Sequence, residues 1–546
     1  MRTLGAACRD LPGRGRIPLA VLAGIVGFAL PLFPETRSAS GGPSRSGAPA
    51  RPNIVVIMTD DLDVHSLEAA LDLGLMPFLR QHVVERGFQF TRAFVTNSLC
   101  CPSRATFLTG QYSHNHGVLS NHGPYGGIRQ LKDDSTLATW LHEAGYRTGH
   151  VGKYLNGYGI DLTTGIDSGV PQHDPTYVPR EWDDWQALVD TTTYRVYGYT
   201  LNDNGRLVAP PAYQTDELAS RAVDFIREAE AMDEAPFFLA VMPLAPHVEI
   251  DDGVGFGEWR DVWRWTIRPA SRHAGSVSAP FLPALKPSFN ELDLSDKPIW
   301  RPRLGAGDVA YLVRQYRDRL ASLRAVDDLV GRVVDALAAG QELDRTAILF
   351  TSDNGFLYGE HRLSEKLVAY EESIRVPLYL RVPGLGPPAS IDAIALNNDL
   401  APTIADLARV VPGLPVDGRS LLALLAEGPP SGWRKRLLVE HWWTDSVYEA
   451  PSYAAVRTGP THDVAPDSLY VEHYDQNYPQ MADGKPEPVL FRELYDLRQD
   501  PGQLGSLHGD PSRAGQVAEL ARVLVELRRC GSEALGGSPC QEVEAW

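Results

Sequence analysis

The 546-residue chain predicts an α/β fold. A large, mostly parallel central sheet is expected between helices, with a smaller antiparallel sheet and a packed helix at the C-terminal end. Three observations carry that expectation. Continuous apolar, β-branched runs such as "NIVVIM" and "TAILF" read as strands buried on both faces. Helical stretches stand between such runs, as parallel crossovers require. From about residue 430 the texture shifts to short strand-like pieces, "RLLVEHWW", "SYAAVRTG", "SLYVEHYD" and "ELYDLRQDP".

Taken in order, the chain opens with Arg2, Arg9, Arg14 and Arg16 ahead of "IPLAVLAGIVGFALPLF" and the small polar stretch "SASGGPSRSGAPA". Basic, then apolar, then small and polar is the layout of an export signal over residues 1–40, with "SAS" as its cleavage site. The run is nearly long enough to serve instead as an N-terminal anchor, and no later stretch could span a bilayer. The expected location is therefore secreted, cell-surface or periplasmic. Residues 41–52 read as a linker and 53–430 as the α/β domain. Within it, "NIVVIM" runs straight into "TDDLD", a helical stretch lies near 75–86, and another helix opens at "CCPSRATF". "STLATWLHEAGY" is a third helix, with Ser135 or Asp134 as its N-cap and Gly145 as its stop. "PFFLAVMPLAPH" is a strand followed by a loop, and "DVAYLVRQYRDRLASLRAVDDLVGRVVDALAAG" is a long amphipathic helix ending at Gly340. "TAILFTSDNG" is a strand ending in polar residues, and "VPLYLRVPG" is a further strand. Residues 403–430 connect to a C-terminal part, 431–546, closed by the amphipathic "VAELARVLVELRR". No internal repeats occur.

Composition narrows the function classes. With 43% hydrophobic and 22% charged residues the chain is an ordinary globular one. A net charge of −18 argues against general nucleic-acid binding, which needs a basic face. It does not bear on a small anionic substrate, because cations within a pocket outweigh a distant field. Of five cysteines, Cys8 belongs to the export segment, while Cys530 and Cys540 close a Gly-rich loop and are candidates for a disulfide. That leaves the adjacent Cys100 and Cys101, with no Cys-x-x-Cys pair to suggest zinc. Seven lysines stand against 44 arginines, so a lysine in a motif is informative.

Chemistry concentrates at strand ends. Asp60 and Asp61 follow the first strand, and Asp353 and Asn354 follow "TAILFTS", which places both pairs on the carboxyl edge of one sheet. Either pair alone reads as turn-formers and caps. Together they are four hard oxygen donors suited to calcium or magnesium. Cys100 heads Cys-x-Pro-x-Arg at the start of a helix, and helix N-termini hold anions.

Around Cys100 the stretch "CCPSRATFLTG" resembles the signature of the type I sulfatases. The likeness extends to "RPNIVVIMTDD", "SDNG" and "ELYDLRQDP", and so over nearly the whole chain after the export segment. It implies an alkaline-phosphatase-like sandwich and a sulfatase activity. It also implies that a formylglycine-generating enzyme oxidises Cys100 to formylglycine (3-oxoalanine). The hydrated aldehyde has one hydroxyl to attack sulfur and a second whose deprotonation expels sulfate by C–O cleavage, a cycle that an ordinary serine could not complete. By the same resemblance Asp60, Asp61, Cys100, Asp353 and Asn354 hold the metal. Arg104 stabilises the nucleophile, Lys153 is the sulfate-binding lysine, Lys366 is the second lysine, and His247 in "APH" is the leaving-group acid or a sulfate-binding histidine. "GKYLNGYG" (152–159) resembles the N-acetylglucosamine-6-sulfatases and heparan endosulfatases, and "LCCPSR", "YSHNHGV" and "REWDDWQAL" lean the same way. Where arylsulfatases place a histidine two residues after the lysine, this chain has Leu155, so the base is not legible. Asn156, His116 and His361 are candidate substrate contacts; His114 and His122 cluster with His116, and His361 reads equally as a loop histidine.

The expected substrate is a sulfated carbohydrate such as glucosamine 6-sulfate. A phosphatase or phosphonate monoester hydrolase of the same superfamily is the second reading, weakened by cysteine at the nucleophile position and by the lack of an Asp-x-x-x-His pair. A non-catalytic sulfated-glycan-binding protein is the third, should Cys100 stay unconverted.

Overall fold

The structure is a computed structural model that describes residues 51–159, 174–232, 235–250, 266–386, 388–426, 428–442, 450–475, 488–532 and 536–545. The expected export segment and most of the linker lie outside the described residues. Among the described residues no helix is long and apolar enough to cross a membrane.

Among the described residues, twelve strands precede residue 400: β1 (Asn53–Thr59), β2 (Phe88–Phe94), β3 (Arg147–Gly152), β4 (Asp184–Leu188), β5 (Leu201–Asp203), β6 (Arg206–Val208), β7 (Phe237–Met242), β8 (Thr346–Ser352), β9 (Leu357–Tyr358), β10 (Ser364–Glu365), β11 (Leu378–Arg381) and β12 (Ala389–Leu396). Ten of them form one sheet in the order β12-β2-β11-β8-β1-β7-β3-β4-β5-β6, while β9 and β10 make a separate hairpin. The central run β8-β1-β7-β3-β4 is parallel throughout. "VPLYLRVPG" supplies β11, which runs antiparallel to both its neighbours, β8 and β2.

Period-two alternation explains the two-sided core. Ile54, Val56 and Met58 of β1 point into one hydrophobic cluster, and Val55 and Ile57 into the other. The first cluster takes in helices Cys100–Thr109, Leu137–Glu143 and Leu400–Ala408; the second takes in Gln214–Met232 and the long helix Ala306–Ala339. That long helix ends before Gly340, as its sequence predicts. The third expected helix begins one residue later than predicted. Its N-cap is Thr136, because Thr139 at N3 returns the hydrogen bond to the Thr136 backbone in a capping box that Ser135 and Asp134 cannot form.

Strands β13 (Arg436–His441), β14 (Tyr453–Thr458), β15 (Ser468–Tyr474) and β16 (Val489–Asp496) form an antiparallel meander covered by helix Ala514–Leu527. Apolar residues of both sheets, among them Ile54, Leu438 and Val456, belong to one continuous cluster together with Leu524 of the covering helix. The change of sheet near residue 430 is therefore not a break in the core. Cys530 and Cys540 are disulfide-bonded.

Candidate active site

Register builds the site. In the β1–β8 pair Thr59 stands opposite Ser352, so Asp60–Asp61 and Asp353–Asn354 leave the sheet side by side. The junction is stitched by Asp353 N donating to Thr59 O (3.1 Å), Asp61 N to Asp353 Oδ1 (3.1 Å) and Leu62 N to Ser352 Oγ (2.8 Å). Asp61 sits in the left-handed region at φ 63°, a strained setting for a residue with a Cβ. Arg319 of the long helix braces it by donating to the Asp61 carbonyl. Sequence reasoning missed Arg319, since a buried arginine within an amphipathic helix carries no motif.

Every residue of the helix Cys100–Thr109 is buried. Ser103 Oγ donates to Asp353 O at 2.5 Å and fixes the helix to the end of β8. Arg104 reaches back with Nε on Asp353 Oδ2 (2.7 Å) and Nη1 on Lys153 O (2.8 Å), and its Nη2 lies 3.6 Å from Asp60 Oδ2. The guanidinium thus holds the metal-type carboxylates and the lysine loop in one frame. Cys100, 1% exposed, has its Sγ 3.5 Å from Asp60 Oδ1 and 2.9 Å from Lys366 Nζ. Its neighbour Cys101 faces the apolar core instead, with its N–H on Asn121 Oδ1 at 2.9 Å.

Two ammonium groups bracket Cys100. Lys153 follows β3 and contacts Asp60 Oδ2 at 2.5 Å; Lys366 donates to Asp61 Oδ1. Lys366 arrives on a loop in which His361, Arg362, Glu365 and Leu367 all have left-handed φ, at 52°, 60°, 78° and 78°. Strain of this kind persists where surrounding contacts over-determine a conformation and collects at working sites. His247 follows β7 and lies with Nε2 3.5 Å from Asp61 Oδ2, while Nδ1 is 2.7 Å from Val248 O. The carbonyl accepts only from an Nδ1–H, so Nε2 is the ring atom left to face the site.

Electrostatics follow from this packing. Burial would raise Asp60, but Lys153, His247 and Arg104 bring it down to about 2. Burial would raise Asp61 as well; Lys366 and His247 lead the groups that lower it to about 2. Burial, reinforced by Asp60, pushes the Cys100 thiol up to about 12 against the two lysines. Burial also lowers His247 from its ordinary value, with Asp61 and Asp60 opposing. Both lysines are held above their usual value by their carboxylates despite burial.

The donor set fits a hard divalent cation. Asp60, Asp61, Cys100 and His247 each offer an atom within 4.8 Å of the others. Asn354 donates its amide to Asp61 Oδ1 (2.7 Å), leaving its Oδ1 buried with no hydrogen-bond partner, an acceptor that a cation would satisfy. Asp353 joins through Arg104 and the Asp61 N–H.

The remaining candidates divide. Asn156 is brought to the site's edge, where its Nδ2 donates to Tyr194 OH at 2.7 Å and its Oδ1 is buried without a partner. Tyr194 lies with its ring 4.8 Å from Lys153 Nζ and 4.9 Å from the His247 ring, a contact no sequence pattern announced. His116 is not brought to the site. It is buried with Nδ1 accepting from Val118 N (3.0 Å) and Nε2 beside Thr106 Oγ1 (3.1 Å), so it locks the turn after helix Cys100–Thr109. His361 is turned to Glu291 (Nδ1 to Oε2, 2.6 Å) and packs its ring at a tilt against Tyr370, with centroids 4.1 Å apart, which makes it an anchor of the Lys366 loop. His114 is drawn to Glu440 and the Cys530 carbonyl. Leu155 is buried in the apolar cluster, so no base stands at that position.

Comparison with known proteins agrees with this geometry. Residues 52–410 match the sulfatase family model, and residues 359–476 match the C-terminal model of N-sulphoglucosamine sulphohydrolase. The chain is 33% identical over 531 residues to an arylsulfatase of Volvox carteri, covering 89% of this chain and 76% of the relative. It is 30% identical over 495 residues to human N-acetylglucosamine-6-sulfatase, covering 86% and 83%. A solved protein in complex with its substrate, D-glucosamine-2-N,6-O-disulfate, superposes with a TM-score of 0.67 at 24% identity, covering 90% of this chain and 99% of that one; this likeness bears on the fold.

Proposed function

The chain belongs to the sulfatase family and is a sulfuric ester hydrolase; we propose that its substrate is a sulfated sugar, with glucosamine 6-sulfate as the preferred unit. The carrying observation is the convergence of Cys100, two lysines and four oxygen-bearing side chains at the end of the β1–β8 pair. The sugar reading draws on the named activity of the human relative, on the substrate in the solved neighbour, and on "GKYLNGYG".

Burial against Asp60 makes the unmodified Cys100 thiol a poor source of thiolate and so a poor nucleophile; its place at the head of "CCPSRATFLTG" supports conversion to formylglycine by a maturation enzyme. When hydrated, that group supplies a hydroxyl nucleophile. Asp60, Asp61, Asp353 and Asn354 would hold calcium or magnesium, which supplies positive charge where the sulfate gathers negative charge. Lys153 and Lys366 flank the Cys100 position and bind sulfate oxygens from two sides. Arg104 positions both Asp353 and the Lys153 loop. His247, with Nδ1–H donated to Val248 O, gives a proton from Nε2 to the leaving sugar oxygen when its ring carries both protons. Asn156 and Tyr194 meet the sugar beside Lys153.

All of these residues come from 60–366, so 53–430 is read as the catalytic part and 431–546 as a subdomain packed on it. Residues 1–40 are read as directing export, and the Cys530–Cys540 disulfide supports an oxidising compartment.

Steady-state rates on 6-sulfated N-acetylglucosamine, 6-sulfated galactose, an aryl sulfate and the matching phosphate esters test the reading. The glucosamine ester is expected to give the highest kcat/KM. A preference for the aryl ester would overturn the sugar assignment. Phosphate outrunning sulfate would favour the phosphatase reading.

A further inference from the structure

Residues 290–304 form an Ω-shaped loop closed by one side chain. Asn290 donates its amide to Leu304 O at 3.1 Å and accepts from Leu304 N at 2.9 Å. Arg362, on the loop that delivers Lys366, pins the same segment from beneath by donating to the carbonyls of Glu291, Leu292 and Arg301, each at 2.8 Å. Ile299 packs inward on Leu99 and Leu367. Those two residues are the direct neighbours of Cys100 and Lys366, so this loop lies on the rim of the reaction centre.

The next residue, Trp300, is 69% exposed. The loop pinned by Asn290 and Arg362 holds this large aromatic face in solvent, where it is free to stack on a ligand. Arg303 is exposed three residues on, which gives this rim a cation although the chain carries a net charge of −18. An exposed aromatic face and an exposed guanidinium three residues apart on one loop suit the apolar face of a pyranose ring that carries an acidic substituent.

We propose that Trp300 and Arg303 form a subsite for the sugar next to the one whose sulfate is cleaved, so that the enzyme prefers sulfated oligosaccharides to the monosaccharide. Trp300 stacks on the ring, and Arg303 meets its sulfate or carboxylate. This subsite rests on the sugar reading of the active site and adds chain-length preference to it.

The test compares wild type, Trp300→Ala, Trp300→Phe and Arg303→Ala on N-acetylglucosamine 6-sulfate and on a sulfated tetrasaccharide bearing the same 6-sulfated residue. Losing the stacked face should raise KM for the tetrasaccharide about tenfold relative to KM for the monosaccharide, with kcat on the two moving together. Trp300→Phe should recover most of the difference. Equal effects on both substrates, or none on either, overturn the subsite while leaving the sugar reading intact. A wild type that hydrolyses aryl sulfate but neither sugar overturns the sugar reading and the subsite with it. A fall from dimer to monomer on Trp300→Ala, seen by size-exclusion with light scattering, would make the tryptophan an interface residue and would also overturn the subsite.

Discussion

Arg434→Met is expected to destabilise the protein by about 3–5 kcal/mol while leaving the chemistry in place, because breaking a buried ion pair strands its partner charges. Arg434 is fully buried and is the cation between two fully buried carboxylates. It donates Nη1 and Nη2 to Asp399, the latter at 2.7 Å, and Nε to Glu544 at 3.0 Å. Tyr112, two residues beyond the turn at Gly110 that ends helix Cys100–Thr109, donates to the other Glu544 oxygen at 2.5 Å. The arginine therefore fastens the C-terminal helix Cys540–Ala545 to the catalytic sheet's helical layer. For a unit spanning Arg51–Trp546 the unfolding entropy is about 1 kcal/mol per kelvin, so Tm should fall by about 3–5 °C. The pH dependence has a definite sign. Burial already raises the Glu544 carboxyl against Arg434, and removing the arginine raises it further. A carboxyl with a raised folded-state pKa contributes stability that is present at low pH and lost as pH rises. The deficit in Tm should thus be larger at pH 8 than at pH 5, by differential scanning calorimetry with turnover checked at 25 °C. A shift under about 1 °C, or a deficit that grows on acidification, would refute the reasoning.

Other expectations follow from the same physics. His114, whose side chain is 8% exposed, is raised by Glu440 from 6.5 to about 8 against burial. A raised histidine stabilises fully below its unfolded value and loses that stability as pH passes about 8, so about 2 kcal/mol should disappear between pH 6.5 and 9 and His114→Gln should flatten the profile of Tm against pH. Replacing Cys530 and Cys540 by serine opens a loop of sequence separation 10 and should cost about 3 kcal/mol, read as a Tm lower by about 3 °C. A Tm unchanged by that replacement would count against a structural role for the disulfide. Dialysis against a chelator should abolish turnover and lower Tm, with calcium or magnesium restoring both; restoration by zinc alone would contradict the oxygen-donor assignment.

Much of this was legible because buried parallel strands announce themselves as continuous apolar runs. "NIVVIM" and "TAILF" are β1 and β8, and the polar residues that follow each had to share an edge once the strands were parallel. The weaker strands were not legible. β5, β6, β9 and β10 have two or three residues each and take their conformation from neighbours. At the site, motif residues could be read because chemistry restricts residue type. Contacts made by common residues could not: Arg319 behind Asp61 and Tyr194 beside Lys153 are placed by tertiary packing. His116 misled for the opposite reason. It lies seven residues past helix Cys100–Thr109 in sequence, but the intervening turn points its ring inward to Thr106.

The central claim concerns Cys100, and mass analysis of the tryptic peptide containing it, taken from protein of known specific activity, bears on it most directly. The aldehyde should stand in place of the thiol, in a fraction that scales with sulfatase activity across preparations. Full activity from protein whose Cys100 is an unmodified thiol would contradict it.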